Sequence, residues 1–421
     1  MNRFIVILLP ALLTLSACEK SKDADPFQAT QELAETGPLP AAKTPLEPGA
    51  FGPTLAKLQS SDYTPEFHLK DAECAECHSQ IHDEWNDSVH ALASLSNPFY
   101  RFSFDVFVQE SGADKTPFCA GCHDPALLFD GAITRELSGD DPRSHAGVGC
   151  VHCHSMDEFT PDGNGSYTLN TSAIPMPLDG DGDSLKAHIE RVGGAKLRAN
   201  EMCVTCHRGF MGPHSGHDVI ISGLDEWGPY RRSGYAGNPT TRITNVKEQN
   251  CLGCHMPKVD GHSSHRFAGG HSALAAMTGS EAQIDAVRKM VENAAFLDIT
   301  FVGNAPLRPD QTLEKAVAGE NVFIDVVIHN DQVGHAFPGG AQDIRDTWLE
   351  IELFDGKGQS LAAAGTKHQE TGADQSAYVL QAYMVDKEGE RNRIHAVHGF
   401  RTPAFRNSIG PKDSALVRYK W

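Results

Sequence analysis

Cys74-Ala75-Glu76-Cys77-His78, Cys119-Ala120-Gly121-Cys122-His123, Cys150-Val151-His152-Cys153-His154, Cys203-Val204-Thr205-Cys206-His207 and Cys251-Leu252-Gly253-Cys254-His255 repeat one pattern, Cys-x-x-Cys-His. They take up ten of the eleven cysteines in the 421-residue chain. A single Cys-x-x-Cys reads as a zinc half-site or a redox dithiol. Neither chemistry requires a histidine directly after the second cysteine. Histidine is only 21 of 421 residues, so its appearance in all five copies is not chance. Two thiols at this spacing can form thioethers to the vinyl groups of a haem while the adjacent imidazole reaches the iron. The pattern therefore predicts five covalently attached c-type haems, with His78, His123, His154, His207 and His255 as proximal iron ligands, in a protein that moves electrons.

The ends of the chain speak to location. Met1-Asn2-Arg3 precedes an apolar run from Phe4 to Leu15 that is too short to span a bilayer as a helix. Residues 1–17 read as an export signal. Leu15-Ser16-Ala17-Cys18 resembles the lipobox of bacterial lipoproteins, which implies cleavage before Cys18 and lipid on that cysteine. The alternative is a free thiol inside an uncleaved anchor. Several acyl chains anchor stably where one is marginal. Residues 18–65, rich in Ala, Pro, Glu, Thr and Lys, read as a flexible tether. The expected location is the outer face of a bacterial membrane, most simply the outer membrane facing periplasm or cell surface. With ten cysteines assigned to thioethers, none of them is left for disulfides, although an exported compartment permits them. The formal charge of −19 argues against nucleic acid and against docking on anionic lipid by charge, and it steers basic partners inward.

Two regions of different character follow. Residues 66–295 carry all five motifs but few long apolar runs, so porphyrins are expected to form the core in place of side chains. Helical pieces are expected over Cys74 to Ala93, Ser184 to Arg198 and Glu281 to Ala295, the last with Ile284, Val287, Met290 and Val291 near helical spacing. Residues 296–421 switch to period two at Phe296 to Phe301, Val322 to Ile328 and Trp348 to Phe354. Asp355-Gly356-Lys357-Gly358 reads as a hairpin turn. The expected class is α+β multidomain: a mainly α and loop multihaem region, then an immunoglobulin-like β-sandwich. Ala415 to Trp421 is strand-like and leaves open whether a terminal strand docks there or the sequence continues.

Several segments carry a resemblance. Glu73 to His78 followed by Trp85-Asn86-Asp87-Ser88-Val89-His90-Ala91 resembles the opening of multihaem cytochromes of the c-554/c-prime type, as do Cys119 to Pro125, Gly147 to Cys150 and Cys251 to Pro257. The resemblance spans roughly residues 70–270 and implies closely packed haems, mostly with two axial histidines. Gly334-His335-Ala336-Phe337-Pro338-Gly339-Gly340 resembles a segment of larger exported multihaem cytochromes, which implies a β region contacting haem. Within the chain, Trp85, Ser88, His90 and Ala91 are echoed by Trp227, Ser233, Tyr235 and Ala236, with tyrosine in place of histidine. Either another histidine substitutes there or one haem has an open face. Catalytic relatives include hydroxylamine oxidoreductases and pentahaem nitrite reductases. Every motif here ends in histidine rather than the reductases' lysine, and the octahaem count is not reached; both departures count against transferring those activities.

Sixteen histidines lie outside the motifs, and at most five are needed as distal ligands. The candidates are His90, which the resemblance favours, then His265, His335, His217 and His145, with His214 and His271 behind. His82 stands one turn past His78 on the same face, near its own haem rather than across it. His152, between two cysteines of one motif, reads as an exposed or supporting residue. Met202, Met211 and Met256 read as packing. Asp179, Asp181, Asp183 and Glu190 match positions 1, 3, 5 and 12 of a calcium-binding loop, against the plainer reading of an acidic turn before a helix cap.

The expected function is electron transfer between redox partners, either other cytochromes or a quinol-oxidising complex, with an oligomer or filament also possible for the β region. One alternative is an oxidoreductase acting on a small nitrogen or sulfur compound at a five-coordinate haem, with Tyr235, His214, His217 and Arg231 as local candidates. Another is a haem-bearing adhesion module.

Overall fold

The computed structural model describes residues 52–60, 63–134, 140–215, 217–238, 246–292, 294–304, 316–367 and 374–421. The export signal, Cys18 and most of the tether lie outside the described residues. No described helix is long and apolar enough to cross a membrane.

The motif-bearing region is built from twelve short helices: α1 Asp71–Ala75, α2 Ser79–Asn86, α3 Pro98–Ser111, α4 Pro117–His123, α5 Pro125–Phe129, α6 Cys150–His154, α7 Gly182–Val192, α8 Asn200–Val204, α9 Trp227–Arg231, α10 Cys251–His255, α11 Ser272–Thr278 and α12 Glu281–Glu292. Each motif begins on a helical turn, which brings the cysteines three apart and the histidine after them to one face. The long helix expected from Cys74 is broken into α1 and α2. The piece expected from Ser184 is α7 followed by a 3-10 turn at Ala195–Arg198. The longest helix, α3, was not anticipated. Pro98 opens it, the Asn97 side chain accepts from Phe99 N and Tyr100 N, and Gly112 ends it at φ 90°.

Side chains do form a core on one flank of this region. Leu95, Phe104, Leu127, Leu128, Met156, Tyr167 and Leu169 are buried together, drawing on α3, α5 and the small sheet of β1 Lys57–Leu58, β2 Met156–Phe159 and β3 Tyr167–Leu169. Two further hairpins, β4 Arg208–Met211 with β5 Ile221–Asp225 and β6 Lys258–Val259 with β7 His262–Ser263, complete it.

The C-terminal region is all antiparallel in its named strands, as the period-two pattern predicts. β8 Phe296–Gly303, β9 Phe323–His329 and β17 Ser414–Lys420 form a three-stranded sheet with β9 in the centre. β17 pairs with β9 over seven residues, so a docked strand is what Ser414–Lys420 forms. The run Trp348 to Phe354 divides between two sheets: β10 Thr347–Leu349 pairs with β13 Tyr378–Leu380, and β11 Ile351–Phe354 pairs with β12 Ser360–Ala364 across the expected turn. β14 Ala382–Val385 lies between β15 Arg391–Asn392 and β16 Thr402–Arg406. Alternate residues of β9, Ile324, Val326 and Ile328, share a core with Val417 of the neighbouring β17 and with Leu349, Leu380 and Ile409. On its other face Asp325 takes a bidentate pair from Arg418 at 2.6 and 2.7 Å.

The two regions share an apolar seam of Phe107, Met211 and Ile221 with Ala382, Met384 and Phe400. Polar ties reinforce it: Ser103 Oγ donates to the Ile394 carbonyl, and Glu110 meets His398 at 2.7 Å. The class is therefore α+β, with the β part joined to the motif region by packing.

Backbone closeness also fixes local geometry. Gly147 has φ +61°, and a Cβ there would lie 2.5 Å from the carbonyl oxygen of His90 and 2.6 Å from that of Ala91. The substitution Gly147→Ala is expected to cost about 1 kcal/mol from the left-handed backbone alone and more from the clash, lowering the denaturation midpoint. Chemical denaturation followed by circular dichroism measures it.

Candidate haem centres

A continuous cavity of about 2990 Å³ runs through the motif region, and all five motif histidines line it. Its wall is completed from the C-terminal region by His335, Asp343, Arg345 and His395.

Four motif histidines face a second imidazole across this space. His78 and His188 have ring centres 6.5 Å apart and planes within 16°. His154 and His265 are 6.5 Å apart at 14°, and His255 and His335 are 6.3 Å apart at 12°. His207 and His90 are 6.2 Å apart with planes at 88°. These distances are too long for ring-on-ring contact. A metal–imidazole bond is about 2 Å and the ring centre lies about 1 Å behind the nitrogen, so two imidazoles on opposite sides of one iron have centres roughly 6 Å apart. The residues present thus fit the prosthetic group that the motifs imply.

The hydrogen bonds fit as well. Nδ1 donates to a backbone carbonyl in His123 (Ala93 O, 2.9 Å), His154 (Val192 O, 2.6 Å), His255 (Ala268 O, 2.7 Å), His188 (Pro175 O, 2.8 Å) and His265 (Ser263 O, 2.8 Å). That fixes the tautomer and leaves Nε2 as the available lone pair. Burial lowers His90 to about 3 and His123 to about 4, and pushes His154, His207, His255 and His265 down, so these rings stay neutral as a metal ligand must. His335 differs. Burial lowers it, but the Glu226 carboxylate 2.7 Å from Nδ1 leaves it raised, while the same Nδ1 lies 3.0 Å from its own chain's Ala336 O.

His123 is arranged differently. Among the described residues no imidazole stands at the paired separation from it. Tyr100 stacks on its ring at 4.2 Å and donates to Asp124 at 2.6 Å, where burial raises that carboxyl to about 7. His395, whose Nδ1 lies 2.8 Å from the buried carboxylate of Asp343, is among the groups that act electrostatically on His123.

The motifs also touch one another, and not in chain order. Asp71, at the start of α1, accepts from Cys150 N at 2.7 Å, and Cys74 and Cys150 act on each other. Asn200, at the start of α8, accepts in the same way from Cys251 N at 2.8 Å, and Cys203 meets Cys251. Cys206 acts on Cys122 and on Cys153. The fourth motif is thus the common neighbour of the second, third and fifth.

Of the other sequence candidates, His271 and Tyr235 line the cavity and several are placed elsewhere. His217 donates from Nδ1 to Val219 O at 2.8 Å and His145 ends the 3-10 turn Pro142–His145; neither lines the cavity. His214 meets Asn164 at 3.2 Å, outside the cavity, and Arg231 also lies outside it. His271 lines the cavity. His152 is fully buried against His68 and Tyr167, not exposed. Asp181 caps α7, accepting from Asp183 N and Ser184 N, and Glu190 faces Lys186 at 3.8 Å. Among the described residues no three His, Cys, Asp or Glu side chains gather around a metal-sized point, those carboxylates included. Tyr235 donates to Asp331 O at 2.8 Å and so holds the loop that carries His335. His188 was missed; its one sequence signal is that it is the single histidine between His154 and His207.

Residues 73–155 match the family model for cytochrome c554 and c-prime. The structure is similar to that of a penta-heme cytochrome c552 from Thermochromatium tepidum, with a TM-score of 0.56 and 19% sequence identity over 84% of this chain and 88% of that one. No curated protein matches the sequence significantly. The matched stretch contains three of the five motifs, so motifs, fold and family model agree in a likeness to multihaem c-type cytochromes.

If an iron sits between His78 and His188, the variant His188→Ala is expected to convert one ferric haem from low to high spin. His217→Ala should leave every haem unchanged. Electron paramagnetic resonance of the two purified variants separates them.

Proposed function

We propose that this chain is an exported pentahaem electron carrier, anchored by lipid on Cys18, that passes electrons between redox partners at a bacterial membrane surface. Each motif holds one haem through its two cysteines. His78 and His188, His154 and His265, His207 and His90, and His255 and His335 would each hold one iron between two imidazoles as axial pairs, and His123 would hold the fifth. The haems supply one-electron chemistry when attached; the protein holds them near one another, excludes water and sets their potentials. The observation that carries this reading is the four imidazole pairs at 6.2–6.5 Å. Donors and acceptors are other redox proteins, and the acidic surface favours basic docking faces.

Ring orientation supports a spectroscopic test. Parallel imidazole planes split the iron orbitals that point between the ligands, whereas perpendicular planes leave them nearly degenerate and enlarge the magnetic anisotropy. The holoprotein is expected to carry the mass of five haems and to show rhombic low-spin signals from three haems. One strongly anisotropic low-spin signal should come from the His90 and His207 pair. A mass of four haems, or only rhombic signals, would refute the assignment. Cys18→Ala should release the protein from the membrane fraction.

A second reading is favoured by one observation, the lack of a described imidazole paired with His123. On this reading that haem is five-coordinate and acts on a small nitrogen or sulfur compound, with His395, oriented by Asp343, as proton donor. Its support is a high-spin ferric signal that nitrite, hydroxylamine or cyanide perturbs. Five low-spin haems indifferent to all three compounds would exclude it.

A further inference from the structure

The Glu226 carboxylate occupies a place that none of the motifs explains. It stands between β5 and α9 with 17% of its side chain exposed, and one oxygen accepts the backbone N–H of Gly340 while the other lies 2.7 Å from Nδ1 of His335. The backbone is shaped to this contact: a Cβ on Gly339 would lie 2.5 Å from His335 Cε1, 2.9 Å from Nδ1 and 3.3 Å from Glu226 Oε2. Five other ring nitrogens of the ligand set face only backbone carbonyls, which are neutral dipoles. Among the described residues, His335 alone in that set has a carboxylate within 3 Å.

We propose that Glu226 is a positioning and tuning residue that holds the haem between His255 and His335 at a lower potential than the other histidine-paired haems. The inference rests on the axial pairs of the proposed function. A full negative charge beside the axial ring makes the imidazole a stronger donor and stabilises ferric over ferrous iron. Burial strengthens the effect by excluding water. Arg345 is the opposing charge. It lies in the same cluster and donates to the Gly270 carbonyl, so its cation offsets part of the field. Glu226 is the nearer of the two to the ring, in contact with it, and its sign prevails.

The test is a mediated spectroelectrochemical titration of the haem-loaded protein, with electron paramagnetic resonance read alongside. Glu226→Gln removes the charge and keeps the shape. It is expected to raise the potential of one low-spin haem by about 59 mV, a tenfold change in its one-electron reduction equilibrium, and to move the others less. Glu226→Asp keeps the charge and should restore most of the shift. Arg345→Gln should lower the same haem's potential, which tests the field even if a Glu226 variant loads haem poorly. Superimposable wild-type and Glu226→Gln titrations with an unchanged low-spin set would overturn the inference while leaving the axial pairs intact. Equal shifts in the Gln and Asp variants would assign Glu226 a purely steric role and also overturn it. A His335→Ala protein that keeps every low-spin signal would remove the axial pair itself, and the inference with it.

Discussion

An imidazole has two ring nitrogens, and a protein that wants one of them for iron must occupy the other. In five of the histidines that face the cavity, a backbone carbonyl takes the Nδ1 proton. Those carbonyls lie from two to thirty-eight residues away along the chain, Ser263 for His265 being the nearest and Val192, at the end of α7, for His154 the farthest. The loops are therefore not filler between motifs. Their backbone direction sets the ring direction, and ring direction sets where a haem plane can lie. Much of the irregular structure of the motif region answers to this requirement rather than to hydrophobic burial.

What could be read beforehand follows from the same division. Covalent attachment is a local matter, since both cysteines and the histidine fall on one helical turn, so the spacing alone reveals it. Opposite faces are non-local. His90 and His335 lie in segments that carry a resemblance, whereas His188 sits in an amphipathic helix whose sequence says nothing of what it faces. Nothing local separates His145 and His217 from the histidines that line the cavity, and neither of the two lines it. The strands at Phe323–His329 and Ser414–Lys420 were legible from their alternation, but the division of Trp348 to Phe354 between two sheets depends on partners distant in sequence. Glu226 carries no sequence signal because its role exists only once Gly339 and Gly340 have folded against it.

The contact pattern of the motifs suggests a junction rather than a linear wire. The fourth motif meets the second, third and fifth, and the first is reached through the third. Charge entering at one end can therefore be divided among branches, and the potential of each terminal haem decides where it rests. On the proposed haem placement Glu226 would stand near two of these arms, since it acts on His207 as well as on His335.

The loop held by Tyr235 has a further consequence, for assembly. His255 and His335 are separated by eighty positions in sequence and belong to different regions. On the proposed pairing, haem could be attached at Cys251 and Cys254 before the β region forms, but its second axial partner would arrive only when that region has folded and docked. Contacts between distant segments form late. The ligation state of that haem therefore records maturation of the whole chain. A protein truncated or misfolded beyond residue 330 would still be red, yet would carry one haem with an exposed iron, open to oxygen and to reactions that the finished molecule avoids.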